Sequence, residues 1–189
     1  MDLLIVAEQP GQSGPYIKSA CKAGWRIASE IDYRQLPGAA ANVHADAAVL
    51  IAHQVNDVVL QAVRILSNAC PLPVVLYTED SLQRSIRSAV AAGVAVYVVD
   101  CYDASRIASL LDVAMARFAE TRQLKKELHK AKATLAERST VDKAKGIIMR
   151  QRQVSEDDAY KLLRKLAMDR NKRIGEVAGE VIAAAEVLI

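Results

Sequence analysis

Short apolar runs alternate with stretches of helical spacing over the first 118 residues of the chain. The clear runs are LLIVA (3–7), AAVLIA (47–52), VVLY (74–77) and AVYVV (95–99), and a weaker run covers 27–29. Uninterrupted apolar runs of this length are typical of parallel strands covered on both faces. Between them, in 16–21, 58–66 and 82–90, apolar residues recur three and four positions apart. The pattern therefore predicts βαβ units around a central parallel sheet.

The rest of the chain is predicted to be helical. No Pro occurs from Ala104 to Arg150, and the first Gly there is Gly146, so the fifth helix of the α/β region should continue without a linker. Within it, apolar residues at spacings of four, three and four form a coiled-coil seam. The seam residues are Leu124, Leu128, Ala131 and Leu135. We expect them to mediate a homodimer, because nothing else in the chain is long enough to cover them; the alternative is a helix lying on its own domain.

Two shorter helices should follow the long one. The long helix should end between Gln151 and Val154, and Ser155 with the three acidic residues after it forms a capping signal. Residues 169–173 separate the next two helices, whose apolar stripes are complementary. We therefore predict a small three-helix bundle. The predicted domains are 1–118 for the α/β domain, 119–138 for the coiled-coil helix and 139–189 for the bundle.

The formal charge changes sign near residue 122, where alternating strands and helices give way to helices alone. Residues 1–121 carry 9 Lys/Arg and 12 Asp/Glu, a formal charge of −3, whereas residues 122–189 carry 16 and 10, a formal charge of +6. An acidic α/β module joined to a basic helical one suggests a control domain with a polyanion-binding output. The overall charge of +3 is too small to indicate nucleic acid by itself.

Several classes of protein are disfavoured by composition. The three cysteines, Cys21, Cys70 and Cys101, have no ligand or redox spacing, so we expect reduced, mostly buried thiols in a cytoplasmic protein. The N-terminus lacks a basic signal region, and no apolar run reaches the roughly 18 residues of a membrane span. The sequence contains no recognisable catalytic grouping or phosphate-binding Gly loop. We therefore expect neither an enzyme nor a bound cofactor or metal.

The α/β region resembles the receiver domain of bacterial response regulators, a flavodoxin-like doubly wound fold whose chemistry lies at the carboxyl ends of the strands. In that family an acidic pair after the first strand holds Mg²⁺, and an Asp ending the third strand accepts phosphate. A Thr or Ser ends the fourth strand, and a Lys ends the fifth. The resemblance therefore implies that any signalling chemistry of this domain lies at those strand ends.

The corresponding residues of this chain depart from that set. Only Glu8 remains of the acidic pair, Ile51 and His53 lie where the acceptor is expected, Thr78 matches the hydroxyl, and Asp100 takes the place of the Lys. Phosphoryl transfer to a carboxylate needs the carboxylate and a cation site, and neither is complete here. We therefore expect a pseudo-receiver that is not phosphorylated and acts by docking. His53 as a substitute acceptor is the less favoured alternative.

The helical region resembles a more specific family. The stretches AKGIIM, SEDDAY, LRKLAMDRN and EVAGEVIAAAE are similar, in order and spacing, to the ANTAR domain of bacterial transcription antiterminators. The runs YVVD, ARF and LAER resemble the nitrate-responsive NasT-type subgroup. The resemblance implies binding to paired, short-looped hairpins in nascent leader mRNA. Such binding disfavours a competing terminator hairpin and lets RNA polymerase continue.

The candidate RNA-binding residues lie in the most basic part of the chain. Residues 143–173 include 10 basic and 4 acidic side chains, a local charge of +6, which is enough to neutralise several phosphates. The candidates are Lys143, Lys145, Arg150, Arg164, Lys165, Arg170, Asn171, Lys172 and Arg173, with Asn171 able to bond a base edge. Each cation alone is equally well explained as part of a solvated helix face. We expect Tyr160, Met149 and Met168 to pack in the bundle rather than to contact RNA.

The resemblance to the NasT-type subgroup also implies a protein partner. This would be a nitrate- or nitrite-sensing protein that holds the regulator inactive until ligand releases it, with nitrate assimilation genes under control and RNA polymerase affected indirectly. Two other classes stay open: a DNA-binding response regulator, and a signalling adaptor that binds only protein. The unbroken helix and the lack of a Gly-containing turn at residues 171–173 oppose the DNA-binding interpretation.

Overall fold

A computed structural model describes residues 1–189 except 10, 40, 41, 43, 69, 100–103, 188 and 189. The chain divides into two compact units, Met1–Arg122 and Gln123–Ile189. Each unit has its own buried apolar core. The finer domain boundaries inferred from the sequence, after residues 118 and 138, stay predictions.

The first unit is a five-stranded parallel sheet with helices between the strands. The strands are β1 (Asp2–Ala7), β2 (Arg26–Asp32), β3 (Ala47–Ala52), β4 (Val74–Thr78) and β5 (Val96–Val99). The helices are α1 (Gly14–Lys22), α2 (Leu36–Ala39), α3 (Asp57–Asn68) and α4 (Gln83–Ala92). The strand order is β2-β1-β3-β4-β5, with every pair parallel. The predicted flavodoxin-like topology is confirmed.

The sheet has a buried layer on each face. Leu3 and Ile5 of β1 belong to one core cluster, together with Leu111 of the last helix of this unit. Leu4 and Val6, which alternate with them, belong to the opposite cluster. Because successive side chains of a strand point to opposite faces, a strand covered on both sides must be apolar at every position. This accounts for the uninterrupted apolar runs in the sequence.

The edge strand β2 is longer than the sequence predicted. Only 27–29 showed a strand pattern, whereas the strand covers Arg26–Asp32. Its first residues alternate between exposed and partly buried, as successive side chains of a strand point to opposite faces, and β2 pairs with β1 alone. Its first residue is held by an ion pair between Arg26 Nε and Asp2 Oδ1 at 2.6 Å. The four-residue helix α2 was also not predicted.

Gly93 ends α4 with a left-handed backbone. Its φ is +119°, and a Cβ at this position would lie 2.8 Å from Ser67 Cβ of α3. The amide of Gly93 bonds Val90 O, and the next amide, of Val94, bonds Ala89 O. Only glycine satisfies both the backbone angle and the close approach.

The long helix α5 covers Ile107–Arg152, a stretch of 46 residues. The prediction that no linker interrupts it is confirmed, and so is its end before the Ser155 signal. α6 (Glu156–Asp169) and α7 (Ile174–Val187) follow. Ser155 is the N-cap of α6, and its Oγ accepts a hydrogen bond from the Asp158 amide at 3.2 Å, as the capping motif predicted.

The second unit has a small core built from three helices. Its buried residues are Val141, Ala144, Ile148, Ala159, Leu163, Ala167, Val177 and Ala178. Among the described residues of this unit, Leu163 is the largest side chain that is fully buried. The remaining members are smaller or partly exposed, so the unit depends heavily on this one leucine.

Candidate nucleic-acid interface and degenerate receiver site

The register of the sheet brings four of the five predicted receiver-site residues to one edge. Ile51 is paired with Ala7 on one side and Tyr77 on the other, and Thr78 is paired with Ala52. The His53 amide donates a hydrogen bond to Glu8 Oε2 at 3.4 Å. The fifth residue, Asp100, lies outside the described residues.

Thr78 has a structural role at this edge. Its Oγ1 donates a hydrogen bond to His53 O at 3.0 Å and accepts one from the Asp80 amide at 3.1 Å. The imidazole of His53 faces Glu79, with Nδ1 and Oε2 2.9 Å apart. The end of β3 therefore presents the hydrocarbon of Ile51 and an imidazole paired with a carboxylate. No carboxylate stands on β3 itself.

Asp80 organises the loop after β4, and the sequence reasoning missed it. Its carboxylate accepts hydrogen bonds from the amides of Leu82 at 3.0 Å and Val55 at 3.3 Å. A hydrogen bond from Ser85 is the main cause that lowers the pKa of Asp80. The backbone oxygen of Asp80 accepts a 2.7 Å hydrogen bond from the Tyr97 hydroxyl, and partial burial raises the pKa of Tyr97 to about 12. The sequence Glu-Asp-Ser directly after a strand, typical of an Asx turn, was the available signal.

The predicted seam of α5 is exposed in the single chain. The exposed fractions are 60% for Leu124, 55% for Leu128 and 67% for Leu135, and Ala131 is exposed as well. No other large hydrophobic side chains are as exposed along the described part of α5 from residue 123 to 140. This arrangement is what a helix with an uncovered apolar stripe presents to a partner.

Lys145 is less exposed than the other predicted RNA-binding cations and pairs with two carboxylates. Its side chain is 14% exposed, and its Nζ lies 2.7 Å from both Asp142 Oδ1 and Glu156 Oε1. The hydrogen bond to Asp142, followed by that to Glu156, raises the pKa of Lys145. Lys145 therefore links α5 to the first turn of α6.

Three other candidates shape the connection between α6 and α7. Arg170 Nη1 lies 2.5 Å from Glu180 Oε2, and Lys172 pairs with the second oxygen of the same carboxylate. The Arg173 amide donates to Glu176 Oε2 at 3.3 Å, and its carbonyl accepts the Val177 amide of α7. The side chains of all three cations are on the surface.

Asn171 occupies a left-handed position at the end of α6. Its φ is +50°. Its amide bonds Met168 O at 3.1 Å, and the Lys172 amide bonds Ala167 O at 3.0 Å. These two bonds form a Schellman motif with Asn in the position usually held by Gly. The side chain of Asn171 is exposed.

Four candidates are exposed and have no ion-pair partner within the described part of the chain. They are Lys143, Arg150, Arg164 and Lys165. Lys161, beside the last two on α6, is instead 2.8 Å from Asp157. The four free cations are therefore available to phosphates without breaking an internal contact.

Two packing predictions for α6 are wrong. Tyr160 is 44% exposed and Met168 is 71% exposed, because the core face of this helix is formed by Ala159, Leu163 and Ala167. Met149, in contrast, is partly buried against the core of this unit, as predicted. Tyr160, Arg164 and Met168 follow one another at intervals of four residues and share an exposed face.

Two of the three cysteines lie within the described residues. Cys21 is exposed and Cys70 is half-buried, so the expectation of mostly buried thiols is wrong for these two. Cys101 lies outside the described residues. Within the described ranges, no three His, Cys, Asp or Glu side chains are grouped as metal ligands. No helix among those residues is both long enough and apolar enough to span a membrane.

Residues 129–182 match the family model of the ANTAR domain. The chain is 31% identical over 113 residues to the transcriptional regulatory protein PdtaR of Mycobacterium tuberculosis, a match that covers 58% of this chain and 55% of that protein. It is 38% identical over 69 residues to the nitrate regulatory protein of Klebsiella oxytoca, covering 36% of this chain and 17% of that protein. The chain therefore spans about half the length of the first relative and less of the second.

Solved receiver domains have the fold of the first unit. A CheY-like receiver domain protein from Methanospirillum hungatei superposes with a TM-score of 0.54 at 11% identity, covering 64% of this chain and 97% of that one. The receiver domain of RcsB from Salmonella enterica gives 0.51 at 11% identity, with 62% and 97% covered. At this identity the likeness shows the fold alone. The chain thus consists of a receiver-like α/β domain, a long helix, and an ANTAR domain at residues 129–182.

Proposed function

We propose that this chain is an RNA-binding transcription antiterminator that recognises hairpins in a nascent leader transcript in the cytoplasm. One observation carries the proposal: the ANTAR match covers four of the predicted RNA-binding cations that are exposed and have no ion-pair partner within the described part of the chain. These are Lys143 and Arg150 of α5 and Arg164 and Lys165 of α6. The similarity to two proteins named as regulators supports a role in gene control rather than catalysis.

Phosphate neutralisation provides the affinity in this proposal. Four phosphate contacts predict a slope of about −3 to −4 in a plot of log K against log salt concentration. The short hairpin loop provides selectivity, because its bases are unstacked and accessible. Binding would stabilise a hairpin that competes with a terminator, so that the polymerase continues without contacting the protein directly.

Binding to selected RNA tests the proposal. RNAs that bind the full chain would be selected from tandem hairpins with randomised loops. The selected RNA would then be compared with a scrambled RNA and the matching duplex DNA in filter-binding titrations. We expect the selected RNA to bind at least tenfold more tightly than either competitor, which is a lower limit on the roughly 10³- to 10⁷-fold ratio typical of specific over non-specific binding. Equal affinity for all three would refute specific antitermination, and preference for the duplex DNA would favour the DNA-binding alternative.

A matched pair of variants tests the assignment of the cations. Arg164→Gln should weaken binding and reduce the salt slope by about 1. Lys161→Gln lies on the same helix but already pairs with Asp157, so it should change the slope less. An in vitro transcription assay with a terminator after the hairpins would show whether lost binding removes read-through.

We further propose that the receiver-like domain is not phosphorylated. The hydrocarbon of Ile51 at the end of β3 and the internal hydrogen bonds of Thr78 support this view. Incubation with acetyl phosphate and Mg²⁺ followed by intact-mass measurement should give no labile adduct. An adduct lost on mild alkaline treatment would point to an acyl phosphate, and one that is stable in alkali but lost in acid would point to His53.

Control by a second protein is the remaining part of the proposal. The similarity to a nitrate regulatory protein supports a partner that senses nitrate or nitrite, inhibits the regulator, and leaves on ligand binding. The exposed seam of Leu124, Leu128, Ala131 and Leu135 supports a homodimer in the released state. A read-through reporter should respond to nitrate only when the partner is present, and a response without any partner would contradict this control.

A further inference from the structure

The exposed face of α6 carries two large apolar side chains. Tyr160 and Met168 are large apolar side chains, 44% and 71% exposed. Their exposure does not result from a shortage of core positions, because Ala159, Leu163 and Ala167 already form a continuous buried face. An aromatic ring and a thioether are therefore held in water on a helix whose packing does not require them.

A positively charged side chain, Arg164, lies between these two apolar side chains. Arg164 lies one turn from each of them, at i+4 from Tyr160 and i−4 from Met168, so the three side chains are neighbours along one stripe. Arg164 has no ion-pair partner within the described part of the chain, whereas Lys161 on the same helix is neutralised by Asp157. The stripe is about 12 Å long, at 1.5 Å per residue.

We infer that Tyr160, Arg164 and Met168 form a stacking surface for unpaired bases of an RNA hairpin loop. The inference rests on the proposed RNA-binding function and names the part of the domain that reads the loop. Aromatic rings and guanidinium planes stack on splayed bases, and the accompanying charge binds the adjoining phosphates. The free cation in the centre of the stripe favours a polyanion over an apolar protein segment, because a protein partner would have to desolvate that charge.

Removing loop bases while keeping the backbone separates stacking from phosphate binding. The selected hairpin would be synthesised with its native loop and with abasic nucleotides throughout the loop, so that the stem and the number of phosphates stay the same. The wild-type chain should bind the native loop about 5- to 150-fold more tightly than the abasic one, the range for one base on an aromatic side chain. Tyr160→Ala should remove most of that ratio, with an unchanged salt slope.

Three further variants control the experiment. Tyr160→Phe retains the ring and should retain the native-to-abasic ratio. Met168→Ala should reduce the ratio less than Tyr160→Ala, and Lys161→Ala should leave it unchanged. Thermal unfolding followed by circular dichroism would show that each variant is folded, which is expected because the changed side chains are on the surface.

The outcomes distinguish this inference from the proposed function. If the wild-type chain binds no hairpin, the RNA-binding function fails and the inference fails with it. If the wild-type chain binds hairpins but Tyr160→Ala keeps the full native-to-abasic ratio, RNA binding stands and the stacking surface is refuted. That second result would assign the stripe to a protein contact. Equal weakening of both RNAs would also refute stacking, because a loss independent of the bases reflects phosphate contact or folding.

Discussion

Replacement of Leu128 by Ala should dissociate the dimer proposed for α5. Leu128 lies in the middle of the seam, with Leu124 before it and Leu135 after it, and all three are more than half exposed in the single chain. Ala has a helix propensity at least as high as that of Leu. The substitution should therefore leave the helix intact and remove only the apolar contact with the partner.

The magnitude follows from the exposed fraction. Full burial of a Leu side chain contributes about 1.5–3 kcal/mol. Because 55% of Leu128 is exposed, covering it in a dimer would contribute about 0.8–1.6 kcal/mol per chain. The substitution occurs in both chains, so we expect a loss of about 2–3 kcal/mol. This corresponds to a dissociation constant roughly 30- to 150-fold higher.

Sedimentation velocity over a concentration series measures this change. The seam is short and association costs about 4–15 kcal/mol, so the wild-type chain should form a weak dimer and Leu128→Ala a monomer. Lys126→Ala is the matched control, because Lys126 lies on the opposite side of the heptad from the seam. The proposed dimer seam is refuted if Leu128→Ala dimerises like the wild type, or if the wild type stays monomeric at all accessible concentrations.

Three further predictions concern the second unit. Leu163→Ala should lower its free energy of unfolding by about 2–5 kcal/mol in urea titrations, and a loss below about 1 kcal/mol would show that the core is not centred on this residue. Gly175→Ala should leave the melting temperature nearly unchanged, because the Glu137 side chain that its Cβ would approach at 2.7 Å is exposed and can rotate away, while Ala favours a helix more than Gly does; a clear loss that the double variant with Glu137→Ala recovers would contradict this. The hydrogen bond from Lys172 holds the pKa of Glu180 below its usual 4.5, so the stabilisation is present above that pH and is lost as the pH falls through the lower folded-state pKa. Glu180→Gln should remove this part of the acid-side fall in melting temperature, and an unchanged acid profile would contradict the assignment.

The buried strands could be located from the sequence because a strand that is buried on both faces is apolar at every position. β3 has the bounds predicted for it, 47–52, since all six of its residues are buried. β2 was underestimated because an edge strand mixes exposed polar residues such as Glu30 with partly buried ones. Apolar periodicity therefore predicts the centre of a parallel sheet better than its edge.

The candidate RNA surface was less predictable for a different reason. Neighbouring residues of a helix are about 100° apart, so the stripe that buries Ala159 does not determine whether Tyr160 points into the core or into water. Lys145 has a local partner, Asp142, three residues before it. Its second partner, Glu156, belongs to the next helix, and that proximity, which fixes Lys145 between two helices, has no signature in the local sequence. The sequence identifies where the cations are concentrated, and only the packing of the helices shows which of them are free.

The left-handed turn at Asn171 would allow folding and the proposed RNA recognition to be separated genetically. The turn uses only the backbone of this residue, so its amide side chain is the part that a base edge could select. Glycine adopts the same backbone angle more readily but has no amide. A mutant allele encoding Gly at position 171 would therefore report on recognition, whereas alleles encoding Val or Ile would report chiefly on protein abundance.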